Sequence, residues 1–211
     1  MSATHAPGTQ SVPASTSPVP PSTPGSHFAD PAPLGLAAFA MTTFVLSFTN
    51  TGIFKVEPVV FGLALAYGGV AQLAAGMWEF AKGNTFGATA FSSFGAFWIS
   101  FWYLTGHTDL GAASAKDVSH SLGLYLMAWA IFTAYMTIGA ARVSNAVLAV
   151  FALLTVTFVL LAIGDFATST TTITKIGGWT GLATAAAAWY ASLGGVTAFT
   201  HGKSIVPTGA H

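Results

Sequence analysis

Long apolar runs separated by short polar stretches dominate this chain of 211 residues. A helix crosses the hydrocarbon core of a bilayer in about 20 residues. Runs of roughly this length predict membrane-spanning helices at residues 34–50, 58–80, 86–105, 119–140, 143–164 and 176–199. The pattern is typical of an all-α membrane protein with six transmembrane helices.

The two ends of the chain depart from this pattern. Residues 1–29 are rich in Pro, Ser and Thr, and such a composition buries too little apolar surface to offset the entropy cost of ordering. We therefore expect a disordered tail there, and it lacks the basic and apolar regions of a cleaved signal peptide. Residues 201–211 form a short polar C-terminal tail, so residues 30–200 are the predicted six-helix transmembrane domain.

The composition agrees with a membrane location. Only 6% of the residues are charged and 53% are hydrophobic, whereas about a quarter of a soluble domain is charged. The lysines and arginines lie at or near the ends of the predicted spans, three on each side, so the positive-inside rule leaves the orientation undecided. The formal net charge is zero, which provides no electrostatic footprint for nucleic acid.

Enzymatic chemistry is not indicated by any local motif. The chain has no cysteine, its few acids and histidines have no metal-ligand spacing, and no nucleotide loop or nucleophile–base arrangement is present. We therefore predict neither a catalytic site, a metal nor a cofactor.

One segment, at the start of the first helix, combines the features of a small-anion site. Pro31 and Pro33 suit the first helical turn, and the N–H groups and positive dipole end there attract anions. The alternative is an ordinary capped helix, in which the Asp30 carboxylate occupies that end itself. The candidate substrate-binding residues of this segment are Asp30, Pro31, Ala32, Pro33, Leu34, Gly35 and Leu36.

Hydroxyls alternate with aromatic rings on the predicted first and third helices. Thr42, Thr43 and Ser93 are further candidate substrate-binding residues, because small hydroxyls between bulky rings suit a narrow pore. For each aromatic residue, a place in the core or against lipid is the alternative.

The predicted second helix carries two polar side chains seven residues apart, Gln72 and Glu79, which therefore share one face. Gln72 is a candidate for substrate contact, and an acid within a span is a candidate for proton coupling. Glu79 is near the helix end, however, so an interfacial ion pair with Lys82 is the favoured interpretation. Asp165, just past the fifth span, is expected at the surface.

Small residues mark the surfaces where helices approach closely. Gly177, Gly181 and Ala185 form a ridge on the last helix, and Gly62 and Ala66 form another on the second. We expect both ridges to pack within the subunit, and packing between subunits is the alternative. Residues 34–39 and 86–91 are weakly similar to each other, which suggests three similar hairpins; chance similarity between Ala- and Gly-rich helices is the alternative.

Several longer motifs resemble the acetate uptake transporter family, which includes the succinate–acetate permeases of bacteria and their yeast relatives. Residues 30–36 match the family signature Asn-Pro-Ala-Pro-Leu-Gly-Leu at all but the first position. Further matches are Tyr-Gly-Gly-Val-Ala-Gln at 67–72, Gly-Asn-Thr-Phe-Gly at 83–87 and Leu-Leu-Ala-Ile-Gly at 160–164. The resemblance covers roughly residues 30 to 208.

The resemblance implies six transmembrane helices around a pore in each subunit, a homohexamer in the plasma membrane and a cytoplasmic N-terminus. It implies passage of acetate and succinate, proton-coupled or channel-like. The family's narrow apolar constriction falls on Phe39, Phe94 and Leu154. Two residues depart from the pattern: Asp30 replaces Asn, and Phe94 replaces Tyr, which leaves an apolar gate that could favour acetate over a dicarboxylate.

Two other functions stay open at this point. One is a channel for another small solute, such as ammonium. The other is a non-transporting membrane sensor or scaffold whose Pro-rich tail recruits a partner.

Overall fold

A computed structural model describes residues 28–55, 57–167 and 171–210 of the protein. It contains six long helices, as the apolar runs predict. They are α1 (Ala32–Thr51), α2 (Glu57–Lys82), α3 (Thr85–Gly106), α4 (Ala115–Ala140), α5 (Asn145–Phe166) and α6 (Thr171–His201). The predicted N-terminal tail lies almost entirely outside the described residues.

Five of these helices, all except α3, are long and apolar enough to cross a membrane. Helix α3 is as long as α5, at 22 residues, but its tryptophan, tyrosine, serine and glycine residues make it less apolar. The length of α3 still matches the thickness of the hydrocarbon core. The all-α membrane fold predicted from the sequence is confirmed.

Helix α2 is irregular in its middle. A 3₁₀ turn opens it, and one π-helical segment, Ala66–Ala71, interrupts its α-helical course. Gly68 and Gly69 lie in that segment. A Cβ atom added to Gly68 would lie 2.5 Å from Thr42 Oγ1 of α1, and one added to Gly69 would lie 2.8 Å from Ile99 Cγ1 of α3. The two glycines therefore let α2 approach both neighbours closely.

The closest helix pairs are α1 with α6, α4 with α5, α5 with α6, and α2 with α3. Three equivalent hairpins would pair α1 with α2, α3 with α4, and α5 with α6. Helices α3 and α4 make few contacts with each other, so the three pairs are not equivalent in their packing. The predicted ridge on α6 packs within the subunit: Gly177 faces Leu161 of α5, and Gly181 faces Ser47 of α1. Gly62, by contrast, has no atom within 4 Å of the position of an added Cβ, so that ridge has no partner among the described residues.

The C-terminal segment folds back over the start of α5. The backbone N–H groups of Asn145 and Ala146 donate to the carbonyl oxygens of Gly209 and Thr208, both at 3.0 Å. Ser144 caps the same end by accepting from the Val147 N–H at 3.1 Å. Because first-turn N–H groups have no partner within their own helix, this tail completes the end of α5.

Candidate functional site

A cavity of about 260 Å³ lies inside the bundle, and every helix contributes to its wall. Aromatic rings and aliphatic side chains form most of that wall, with hydroxyl groups between them. No lysine, arginine or histidine is part of it within the described portion of the chain. The lining residues are Phe39, Thr43, Leu46, Ser47, Asn50, Glu57, Phe97, Trp98, Phe101, Thr105, Leu122, Tyr125, Leu126, Leu154, Thr157, Phe158, Leu161, Asp165 and Thr174.

A second cavity of about 20 Å³, room for roughly one water molecule, adjoins the first. Phe39 and Leu154 line both cavities, and Phe94 lines the smaller one. On α1, the residues lining the large cavity follow Phe39, whereas Leu36, which lines the small one, precedes it. Phe39 and Leu154 therefore separate two spaces that lie along the same helices.

The three residues predicted to form the constriction come together as one apolar layer at this boundary. The ring centroids of Phe39 and Phe94 are 5.7 Å apart, and the Phe94 ring also contacts Phe151 at 6.0 Å. Phe39, Phe94 and Leu154 are all at least 96% buried. We call these three residues the apolar layer. Such a layer disfavours the passage of hydrated inorganic ions, because it offers no ligands to replace their water.

The predicted polar contacts differ in their placement. Thr43 lines the large cavity and Gln72 the small one. The Thr42 hydroxyl donates to the Ala38 carbonyl oxygen at 2.9 Å, as buried helical threonines commonly do, and Thr42 lines neither cavity. Ser93 is half-buried and also lines neither.

At the start of α1, the structure favours the capped-helix alternative over a free anion site. Asp30 Oδ1 accepts from the Ala32 N–H at 3.1 Å, and the Gly35 N–H donates to the Pro31 carbonyl oxygen at 3.1 Å. Pro31 and Pro33 have no N–H to offer. The aspartate therefore occupies the helix end itself, and the Ala32 and Gly35 N–H groups are not free to bind an anion.

The rest of this segment packs against neighbouring helices. The Ser192 hydroxyl of α6 donates to the Pro33 carbonyl oxygen at 2.7 Å, and a Cβ added to Gly35 would lie 2.6 Å from the Phe91 ring. Ala32 and Leu34 are partly exposed, whereas Leu36 is 9% exposed and lines the small cavity. Leu36 thus connects the segment to the small cavity.

The favoured interpretation of Glu79 as an interfacial ion pair with Lys82 is wrong. Lys82 Nζ bonds to Asp30 Oδ1 at 2.8 Å instead. Glu79 is fully buried, and neither carboxylate oxygen has a well-formed hydrogen bond among the described residues, although the Asn84 side chain lies beside the carboxylate. Its carboxyl carbon and Asn84 Nδ2 both converge on Gly87, at 2.8 and 2.7 Å from where a Cβ would be.

Several cavity residues are not apparent from local sequence reasoning. Asp165, expected at the surface, is half-buried and lines the cavity with Glu57. Trp98 lines it from α3, and Thr157 lines it from α5, where its hydroxyl lies 3.0 Å from Thr180 Oγ1. The only local signal for Thr157 is a hydroxyl within a very apolar run.

A multi-pass helical protein with an internal cavity closed by an apolar layer belongs to the class of membrane transport proteins. The chain is a member of the GPR1/FUN34/yaaH family, whose sequence profile matches residues 14–208. The predicted resemblance to acetate uptake transporters is thereby confirmed.

Named relatives agree with this assignment. The chain is 40% identical to the succinate-acetate/proton symporter SatP of Escherichia coli strain K12, over 87% of this chain and 97% of the relative. It is 43% identical to acetate permease A of Emericella nidulans, over 85% of this chain and 65% of the relative. A solved structure of the bacterial acetate channel SatP superimposes with a TM-score of 0.78 at 40% identity, covering 86% of this chain and 99% of that one.

Proposed function

We propose that this protein carries acetate and related small monocarboxylates across a membrane, through the path that the apolar layer closes. The observation that carries the proposal is the pair of cavities separated by Phe39 and Leu154. Carboxylate transport is taken from the names of the relatives, and the hydroxyl-bearing wall of the larger cavity suits a small polar solute. The same relatives support a multi-pass membrane protein. We propose that it forms a homohexamer in the plasma membrane with a cytoplasmic N-terminus.

The path separates solutes by their hydration. A hydrated ion loses water at the apolar layer without finding replacement ligands there. Acetate carries a methyl group and a single charge, so a smaller part of its surface needs replacement partners. Thr43 and Gln72, on opposite sides of the layer, are the polar groups that we propose meet the carboxylate.

The direct test is uptake of labelled acetate into liposomes that contain the purified protein, with and without an inward proton gradient at clamped voltage. Accumulation beyond that in protein-free liposomes indicates proton symport, and saturable flux that only relaxes the gradient indicates a channel. Because Phe94 provides no hydroxyl for a second carboxylate, we expect acetate to move faster than succinate. Absence of acetate flux above protein-free liposomes contradicts the proposal.

A second candidate is ammonium. The chain is 44% identical to ammonia transport outward protein 2 of Saccharomyces cerevisiae, over 82% of this chain and 63% of the relative. Glu57 and Asp165 line the large cavity, and carboxylates attract a cation. Ammonium flux without acetate flux in the same liposomes would favour this candidate.

Glu79 keeps its proposed role in proton coupling, and Glu79→Gln tests it. The glutamine has nearly the same shape but cannot carry a proton as a carboxylate does. Because an unpaired buried carboxylate is costly, we expect thermal stability in detergent to be maintained or raised. Gradient-driven acetate accumulation is expected to fall to the protein-free level.

The matched control is Asp109→Asn, which removes an exposed acid that lines neither cavity. It is expected to accumulate acetate like the unmodified protein. Undiminished accumulation by Glu79→Gln would remove Glu79 from proton coupling.

A further inference from the structure

Three side-chain hydrogen-bond donors that line the large cavity have no partner in the described part of the chain. One is the hydroxyl of the half-buried Thr174, which lies against Gly164, ten residues beyond Leu154 on α5, and the other two belong to buried residues close to the apolar layer. These two are the hydroxyl of Thr43, a residue that is 5% exposed, and the indole N–H of Trp98, a residue that is 2% exposed. An unpaired buried polar group costs about 1–3 kcal/mol, so such groups in a cavity wall are expected to bond to water or to a ligand that replaces the water. Both groups can donate, which is what an anion requires.

The two donors share one level of the bundle. Thr43 follows Phe39 by four residues on α1, and Trp98 follows Phe94 by four residues on α3. Residues four apart lie on the same face of a helix, about 6 Å apart along its axis. Each donor is therefore one turn beyond an aromatic residue of the apolar layer, on the side of the large cavity.

A third helix completes this level. Thr157 follows Leu154 by three residues on α5 and also lines the cavity. Its hydroxyl lies 2.8 Å from the Leu153 carbonyl oxygen and 3.0 Å from Thr180 Oγ1, so its hydrogen bonds are already made. Thr43 and Trp98 are thus the groups at this level whose donors are free.

The negative charges in the cavity wall lie far from the apolar layer, so they also favour an anion at the end of the cavity next to that layer. The carboxylates of the wall, Glu57 and Asp165, come from the start of α2 and the end of α5. Asp165 follows Leu154 by eleven residues, which corresponds to about 16 Å along the helix. Because repulsion falls with distance, a carboxylate is held most favourably next to the apolar layer.

We propose that the Thr43 hydroxyl and the Trp98 indole N–H form a carboxylate-binding site directly beside the apolar layer. Each donates one hydrogen bond to the anion, and the nearby Phe97 and Phe158 rings accept its methyl group. The site replaces water lost by the substrate immediately before or after it passes Phe39. This inference rests on the proposed function, because it names the contacts of the transported acid.

The test uses substitutions that remove only the donors: Thr43→Val and Trp98→Phe. The readouts are the acetate concentration that gives half-maximal flux in liposomes, and stabilisation of the detergent-solubilised protein by acetate against thermal unfolding. A hydrogen bond to a charged group is worth about tenfold in affinity, so each variant should raise the half-saturating concentration about tenfold. Thr43→Ser keeps the hydroxyl and should keep the affinity.

The matched controls are Thr133→Val and Trp102→Phe. Thr133 is buried, but its hydroxyl donates to the Trp129 carbonyl oxygen at 2.7 Å, and neither Thr133 nor Trp102 lines a cavity. Both controls should leave acetate affinity unchanged.

The possible failures are distinguishable. No acetate flux by the unmodified protein contradicts the proposed function itself. Normal flux with unchanged acetate affinity in both Thr43→Val and Trp98→Phe overturns the binding site alone. Affinity loss of equal size in the controls also overturns it. If a donor variant unfolds, the comparison of Thr43→Ser with the unmodified protein decides, because loss of affinity there contradicts the hydroxyl's role.

Discussion

Replacing Gly178 with alanine is expected to force α6 away from α1 and to destabilise the whole bundle. A Cβ atom at this position would lie 2.7 Å from the Asn50 carbonyl carbon and 3.0 Å from the Ser47 carbonyl oxygen. These are backbone atoms, so no side-chain rotation relieves the clash. Overpacking costs about 1–3 kcal/mol, and separating two helix backbones falls at the upper end.

This cost is measurable as a shift in thermal unfolding of the detergent-solubilised protein. A loss of about 3 kcal/mol corresponds to roughly 6–12 °C in Tm for a chain of this size. Gly62→Ala is the matched control, because it is the same change within a helix and an added Cβ meets nothing within 4 Å. There alanine should be neutral or slightly stabilising. Equal destabilisation by both substitutions would contradict the packing argument.

Local signals explain why the helices could be predicted from the sequence. Pro31 begins α1, Gly83 ends α2 in a left-handed conformation with φ of 81°, and Ser144 caps α5. Between such ends, the apolar runs leave only a helix as a way to satisfy the backbone in a membrane. The small residues of α6 likewise predict a close contact, although not that α1 is the partner.

Long-range pairing explains what could not be predicted. Lys82 is three residues from Glu79 in sequence, which favours a local ion pair, but its observed partner is Asp30, 52 residues away. Because Lys82 pairs with Asp30, it makes no ion pair with the buried Glu79. Trp98 is similar: its type and position suit the core equally well, and only the packing of six helices places it in a cavity wall.

The residues of the apolar layer could be identified from the family resemblance but not from local sequence signals. Phe39, Phe94 and Leu154 belong to three helices, and no local pattern distinguishes them from the other large apolar residues. The family resemblance singled them out, and the structure places them together between two cavities. Their role as a gate therefore needs a functional measurement.

Phe39→Ala is expected to open this gate to larger acids. The Phe39 side chain is 4% exposed and lines both cavities, so its removal joins them beside Leu154 and Phe94. Apolar contacts discriminate about tenfold or more for each methylene group. The flux of butyrate relative to acetate into liposomes should therefore rise by at least about tenfold, whereas Thr43 and Trp98, the donors proposed to bind acetate, remain in place.

Stability has to be separated from gating in this experiment, because truncating a buried phenylalanine costs about 3–5 kcal/mol. Phe39→Leu keeps most of the bulk and should give an intermediate selectivity with a smaller loss of Tm. Phe48→Ala provides the control on the same helix: Phe48 packs against Phe44 and Phe54 and lines neither cavity. If a folded Phe39→Ala protein keeps the original ratio of butyrate to acetate flux, Phe39 does not select by size. The narrowest point must then be formed by other residues, because the joined cavities would already admit the larger acid.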